Sequence, residues 1–182
     1  MRDGQDILKA LGRGSAGPAG AGSADGDGPA GAARAAIAAA RELAVRPSEL
    51  VEVLASLKGL GDFVLIDIDA VDRPEGFDVA YRLLDRGGEG PAGIFTVKAR
   101  ADRSDPRLPS VMSIWKAADV MEREVWDLMG VVFEGRTGLK RILCKDDFEG
   151  HPLRKDYILV RTPRFPVREE LRPAEGAEGG QR

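Results

Sequence analysis

Apolar and polar positions alternate in three stretches of the chain. In residues 63–70, Ile66, Ile68 and Ala70 alternate with Asp67 and Asp69; in 77–83, Phe77, Val79, Tyr81 and Leu83 alternate with Asp78 and Arg82. In 94–100, Phe95, Val97 and Ala99 alternate with Thr96, Lys98 and Arg100. A period of two predicts strands with one wet face, and the Gly-rich 87–93 stretch reads as a hairpin connection. Two other stretches follow the helical period. Leu50, Val53, Leu54 and Leu57 fall at i, i+3, i+4 and i+7 after Pro47, with Ser48 as N-cap, Glu49 in the first turn and Lys58-Gly59 at the close. Farther on, Asp119 reads as an N-cap boxed by Glu122, Met121, Val125 and Leu128 share a face beside Trp126 and Met129, and Gly130 stands where a left-handed cap belongs.

Weaker patterns complete the picture. Residues 34–44 are alanine-rich and favour helix, 105–113 are Pro-punctuated and turn-rich, and 131–133, 141–143 and 157–160 read as short strands. Together these elements predict an α+β class, a two-layer fold with a mixed β-sheet covered by helices. Residues 12–33 are almost all Gly, Ala, Ser, Pro and Asp, and 172–182 are rich in Glu, Gly and Ala. Such stretches hold too few large apolar groups to offset about 1–2 kcal/mol of backbone ordering per residue. The expected organisation is a disordered segment 1–32, an α+β domain 33–160, and an extended basic and polar tail 161–182.

Composition narrows the function. A net charge of -3 and a pI of 5.4 speak against nucleic-acid binding. Locally, Arg154, Lys155, Arg161, Arg164 and Arg168 form a basic strip suited to an acidic partner, an anionic lipid surface or RNA. One cysteine and one histidine cannot build a disulfide framework, a four-cysteine iron–sulfur site or a Cys/His zinc site within one chain. Any redox centre this protein serves is therefore expected in its partners. No apolar run approaches about 18 residues and no secretory signal is visible, so a soluble cytoplasmic chain is expected.

Most of the scarce chemistry lies in residues 115–157, which hold both tryptophans, Cys144 and His151. Gly130-Val-Val-Phe-Glu-Gly135-Arg136-Thr137 has phosphate-loop spacing, but Arg replaces the required Lys and a helix precedes it, so a turn into a strand fits better. Asp67 and Asp69, with Asp72 nearby, offer carboxylates for a divalent cation or simply a strand's wet face. His151 invites comparison with a general base, though no nucleophile is visibly paired with it, and Cys144 ends an apolar run that suits a packed thiol. The charges between Glu122 and Asp127 are the least ordinary. Asp127 lies in the last helical turn, where the dipole disfavours it, with Arg123 four residues earlier and Trp126 alongside. Local rules broken together mark a functional or partner-facing site.

Glu122-Arg-Glu-Val-Trp-Asp-Leu-Met-Gly-Val131, Phe133-Glu-Gly135, Leu139-Lys-Arg-Ile-Leu143 and Gly150-His-Pro-Leu-Arg-Lys-Asp-Tyr157 follow one another in order. This run resembles the C-subunit family of NADH-quinone oxidoreductase, the 30 kDa-subunit family of respiratory complex I, without a gap over about 36 residues. Leu-Pro-Ser-Val at 108–111, leading to Trp115, is similar to the family as well. Met129 and Val131 stand where Phe and Ile are usual, and Arg136-Thr137 replaces a common His-Pro. The resemblance implies a peripheral-arm subunit without catalytic residues, cofactor or metal of its own, with NADH, FMN, iron–sulfur clusters and quinone handled by partners. Its implied partners in a hetero-oligomer are the large quinone-site subunit and an iron–sulfur subunit. Membrane association would be indirect, at the cytoplasmic face. Implied interface or signature residues are Glu122, Arg123, Glu124, Trp126, Asp127, Gly130 and Arg141, then Gly150, His151, Pro152, Leu153, Arg154, Lys155 and Asp156. Charged anchoring by this set would run either to a partner or between the helix and the His151–Asp156 loop. Related subunits serve membrane-bound hydrogenases and similar oxidoreductases, which the motifs do not separate.

Overall fold

The computed structural model describes residues 41–86 and 93–158. The segment 1–32, the start of the 34–44 helix, the hairpin loop, residues 159–160 and the tail 161–182 lie outside the described residues. Strands β1 (Glu42–Val45), β2 (Phe63–Arg73), β3 (Gly76–Asp85) and β4 (Gly93–Asp102) form a mixed sheet in the order β1-β4-β3-β2. Helix α1 (Leu50–Gly59), entered through a 3-10 turn at Pro47–Glu49, precedes β2. Strand β5 (Arg107–Pro109), helix α2 (Ala118–Met129) and strand β6 (Val132–Glu134) follow, with β5 and β6 paired in parallel.

The three long strands arise where the alternation places them. β2 and β3 pair antiparallel, as do β3 and β4, and Asp85 opposite Gly93 shows the expected hairpin. The alternation in β2 breaks once. A register shift between Leu65 and Asp67 turns Ile66 outward, so Phe63 and Leu65, then Ile68, Ala70 and Asp72, face the core. Gly76 lets the start of β3 approach β4 closely, since a Cβ there would collide with the Ala101 carbonyl oxygen.

Three expectations are corrected. Residues 42–45 form β1 rather than helix, because alternation buries Leu43 and Val45 beside β4 while Lys98 pairs with Glu42 at 2.7 Å, and this packing outweighs alanine propensity. Ser48 does not cap α1; it sits inside the 3-10 turn, and Glu49 occupies the cap position. Asp119 does not cap α2, which starts behind Ala117, so Glu122 forms no capping box.

The core lies between the sheet's inner face and the two helices. α1 contributes Leu50, Val53, Leu54 and Leu57, as its periodicity predicts. From the other side Val111, Trp115, Ala118 and Val125 join it, and the Trp115 indole N–H donates to the Phe63 carbonyl at 3.2 Å. The buried stripe of α2 is rotated from the expected one: Ala118, Glu122 and Val125 face inward, while Met121 and Met129 pack partly buried beside them. A glutamate thus occupies a core position.

Candidate functional site

The buried carboxylates of α2 organise this region. Asp127 is completely buried at the helix's last turn. One carboxylate oxygen, Oδ2, accepts three consecutive backbone N–H groups, from Ile142 at 3.0 Å, Leu143 at 2.8 Å and Cys144 at 2.9 Å. Oδ1 accepts the Arg141 guanidinium at 2.6 Å. Three neighbouring amides aimed at one oxygen require a curled backbone, so 141–143 cannot form the strand expected there. Burial pushes the Asp127 carboxyl upward, yet the N–H groups of Cys144 and Leu143, the Arg141 guanidinium and the Ile142 N–H outweigh it. The group is held well below the usual carboxylate range.

Arg141 spreads this anchorage along the loop. Its second terminal nitrogen donates to the carbonyls of Phe148 at 2.8 Å and Gly150 at 3.0 Å, while its guanidinium lies 5.6 Å from the Trp126 ring centroid. His151 Nδ1–H donates to the Asp127 carbonyl at 3.0 Å, and the Leu153 N–H to the Leu128 carbonyl at 3.1 Å, so helix carbonyls near its end find partners. Gly130 is required twice over. Its φ is +76°, as the left-handed cap predicts, and an added Cβ would sit 2.7 Å from His151 Nε2.

Glu122, also fully buried, stands in a different setting one and a half turns earlier. It accepts the Val111 N–H at 2.7 Å, the Ser110 hydroxyl at 2.8 Å and Arg136 Nη1 at 3.2 Å. Here burial wins, and the carboxyl is raised above its ordinary value despite those three partners. The Arg136 side chain is itself buried and also pairs with Asp119. The Tyr81 hydroxyl, fully buried and under the influence of the Glu122 charge, has no hydrogen-bond partner among the described residues.

A third carboxylate fastens the far end of the loop. Asp72, at an inward position of β2, accepts the Lys155 N–H at 2.8 Å and pairs with Arg103. Arg103 also meets Asp156 at 3.1 Å, and Arg154 lies 4.9 Å from the Phe77 ring centroid. Sequence reasoning noted Asp72 only as a cation ligand and missed Arg103, Ser110 and Tyr81. The available signal was Asp72's parity, which it shares with Ile68 and Ala70 on the inward side of β2.

The other candidates resolve as follows. Residues 130–135 hold β6 rather than a phosphate cradle. Asp67 and Asp69 share Arg82, and no group of three or more potential metal ligands occurs among the described residues. Burial and the Asp127 charge raise the Cys144 thiol, which disfavours a reactive thiolate. Arg123 does not reach Asp127; it pairs with Asp119 at 3.7 Å and donates to the Lys140 carbonyl. Glu122 and Asp127 meet no solvent, while Glu124, Leu153, Lys155 and Asp156 remain exposed.

The family described as respiratory-chain NADH dehydrogenase, 30 Kd subunit, matches residues 43–163. The chain belongs to that family. The C subunit of NADH-quinone oxidoreductase from Moorella thermoacetica is 46% identical over 120 residues, covering 64% of this chain and 79% of that protein. Its Thermus thermophilus counterpart is 45% identical over 121 residues, 62% of this chain and 58% of the relative, so this chain spans little more than half of that protein's length. Among solved structures, an archaeal membrane-bound sulfane sulfur reductase, a respiratory membrane complex, contains a chain with 30% identity and a TM-score of 0.58, over 65% of this chain and 72% of that one. These relatives are parts of multi-subunit respiratory assemblies. No helix among the described residues is long and apolar enough to cross a membrane.

Proposed function

We propose that this chain is a cofactor-free, non-catalytic subunit in the peripheral arm of a proton-translocating NADH-quinone oxidoreductase. It would dock the large quinone-site subunit and an iron–sulfur subunit on the cytoplasmic side of the membrane, so that electrons pass from NADH to quinone through partners. The observation that carries this reading is where the residues of the family signature act. Asp127 pairs with Arg141, Arg141 reaches the Gly150 carbonyl and His151 donates to the Asp127 carbonyl, fixing the 141–157 loop against the end of α2. The same loop presents Leu143 and Leu153, 60% and 55% exposed, as apolar contacts for another protein. A rigid, charge-anchored loop displaying leucines is suited to docking. Purification of the tagged full-length chain from native membranes tests it. Recovery with iron–sulfur and quinone-reactive subunits is expected; recovery of folded chain free of them contradicts the proposal.

The resemblance to the sulfane sulfur reductase chain supports a second reading, the equivalent subunit of a membrane-bound hydrogenase or related oxidoreductase. NADH oxidation by the purified assembly supports the first reading, and hydrogen evolution or another electron input supports the second.

A further inference from the structure

Loop anchoring leaves a groove among the described residues without a role. It runs between β2 and α2 and has a volume of about 280 Å³. That is at the lower end of the ~300–1,000 Å³ usual for small-molecule sites, and it is the open sheet edge and the carboxylates beside it that favour a docked segment. Ile68, Val125 and Leu128 line it, with Leu153 at its side, while Asp67, Asp69 and Glu124 bring carboxylates to it.

β2 is also an edge strand of the sheet, opposite β1. Its start is covered by the Trp115 indole on the Phe63 carbonyl. Farther along, residues 67–70 line the groove with no strand paired to their outer edge among the described residues. A strand added there would alternate its side chains between the face carrying Asp67 and Asp69 and the apolar groove over Ile68 and Leu153. Charge selects what those side chains are. Asp67 and Asp69 share a single cation, Arg82, and Glu124 is exposed with no ion-pair partner among the described residues.

We infer that the groove receives an extended segment of a neighbouring subunit, in which Lys or Arg alternates with bulky apolar residues, as an added strand along β2. The inference rests on the functional reading above for the identity of the neighbour, and on the groove for its chemistry. Two experiments on the full-length chain test it. A photo-reactive benzoylphenylalanine at Leu153, or at Val71 if that variant misfolds, is irradiated in native membranes and the cross-linked peptides are sequenced. The expected product is a segment of another subunit with alternating basic and apolar residues. Cross-links to residues 159–182 of the same chain, to a second copy, to a segment without basic residues, or none in an assembled complex, overturn the inference.

In solution, a synthetic Lys-Val-Lys-Leu-Lys-Val-Lys peptide should shift the amide signals of residues 67–70. Its affinity should fall about tenfold or more with Asp67→Lys plus Asp69→Lys, and likewise with alternate backbone N-methylation. Affinity indifferent to N-methylation overturns the added strand. Peptide binding by a chain that purifies alone from membranes contradicts the functional reading and leaves the groove's chemistry standing.

Discussion

Asp127 and Glu122 are buried carboxylates on one helix, both fully enclosed, and their surroundings drive them in opposite directions. Asp127 meets three converging amides and a guanidinium supplied by a segment that has no regular structure of its own. Glu122 lies among core side chains, and its three donors do not outweigh burial. Burial alone therefore does not set the role of a charge. A carboxylate that supplies a loop's missing hydrogen-bond acceptors organises that loop, while one inserted in a core stripe ties adjacent elements together at a desolvation cost.

Removing Asp127 should have the largest effect. Asp127→Ala strands three amides and Arg141, and a loss of about 3–5 kcal/mol is expected in denaturant unfolding, in line with breaking a buried charge pair. Arg141→Lys keeps the charge but loses the fork that spans Asp127, Phe148 and Gly150, and should cost about 1.5–3 kcal/mol. Hydrogen exchange should then accelerate at residues 142–153 and leave the sheet protected. Glu122→Gln should cost less, about 1–2 kcal/mol, because burial already favours the neutral form and Arg136 retains Asp119. Smallest is Tyr81→Phe, which removes a hydroxyl with no protein partner among the described residues and should change stability by less than about 0.5 kcal/mol.

The opposite shifts also give opposite pH dependence. Asp127 is depressed when folded, so its stabilisation is present above the unfolded pKa of about 3.9 and is lost as pH falls through the depressed folded value. Glu122 is raised, so the folded state holds its proton more tightly. Its stability contribution is fully present below an unfolded pKa of about 4.3 and declines as pH rises through the folded value. Unfolding curves of wild type, Asp127→Asn and Glu122→Gln between pH 3 and 7 check the sign: the wild-type advantage should shrink in acid against the first and grow against the second.

Much of the architecture was legible because it depends on local periodicity. β2, β3, β4 and α1 follow from where Ile68, Tyr81, Val97 and Leu54 fall in their patterns. β1 was not legible, since its alanine-rich surroundings favour helix and only pairing with β4 decides otherwise. The anomaly of Asp127 in a last helical turn was visible, but its resolution needed three amides fifteen to seventeen residues away. From sequence Arg136 stood out as the Arg where a phosphate loop needs Lys and as a departure from the family pattern, and the structure pairs it with Glu122.

The central claim is that the Asp127 anchorage holds the loop in the form partners recognise. Its most direct measurement is the yield of partner subunits recovered with a tagged Asp127→Asn chain from native membranes, alongside the exchange protection of residues 142–153. An intact sheet, an unprotected loop and few or no partners are expected. Full recovery of partners with the loop unprotected would contradict the claim.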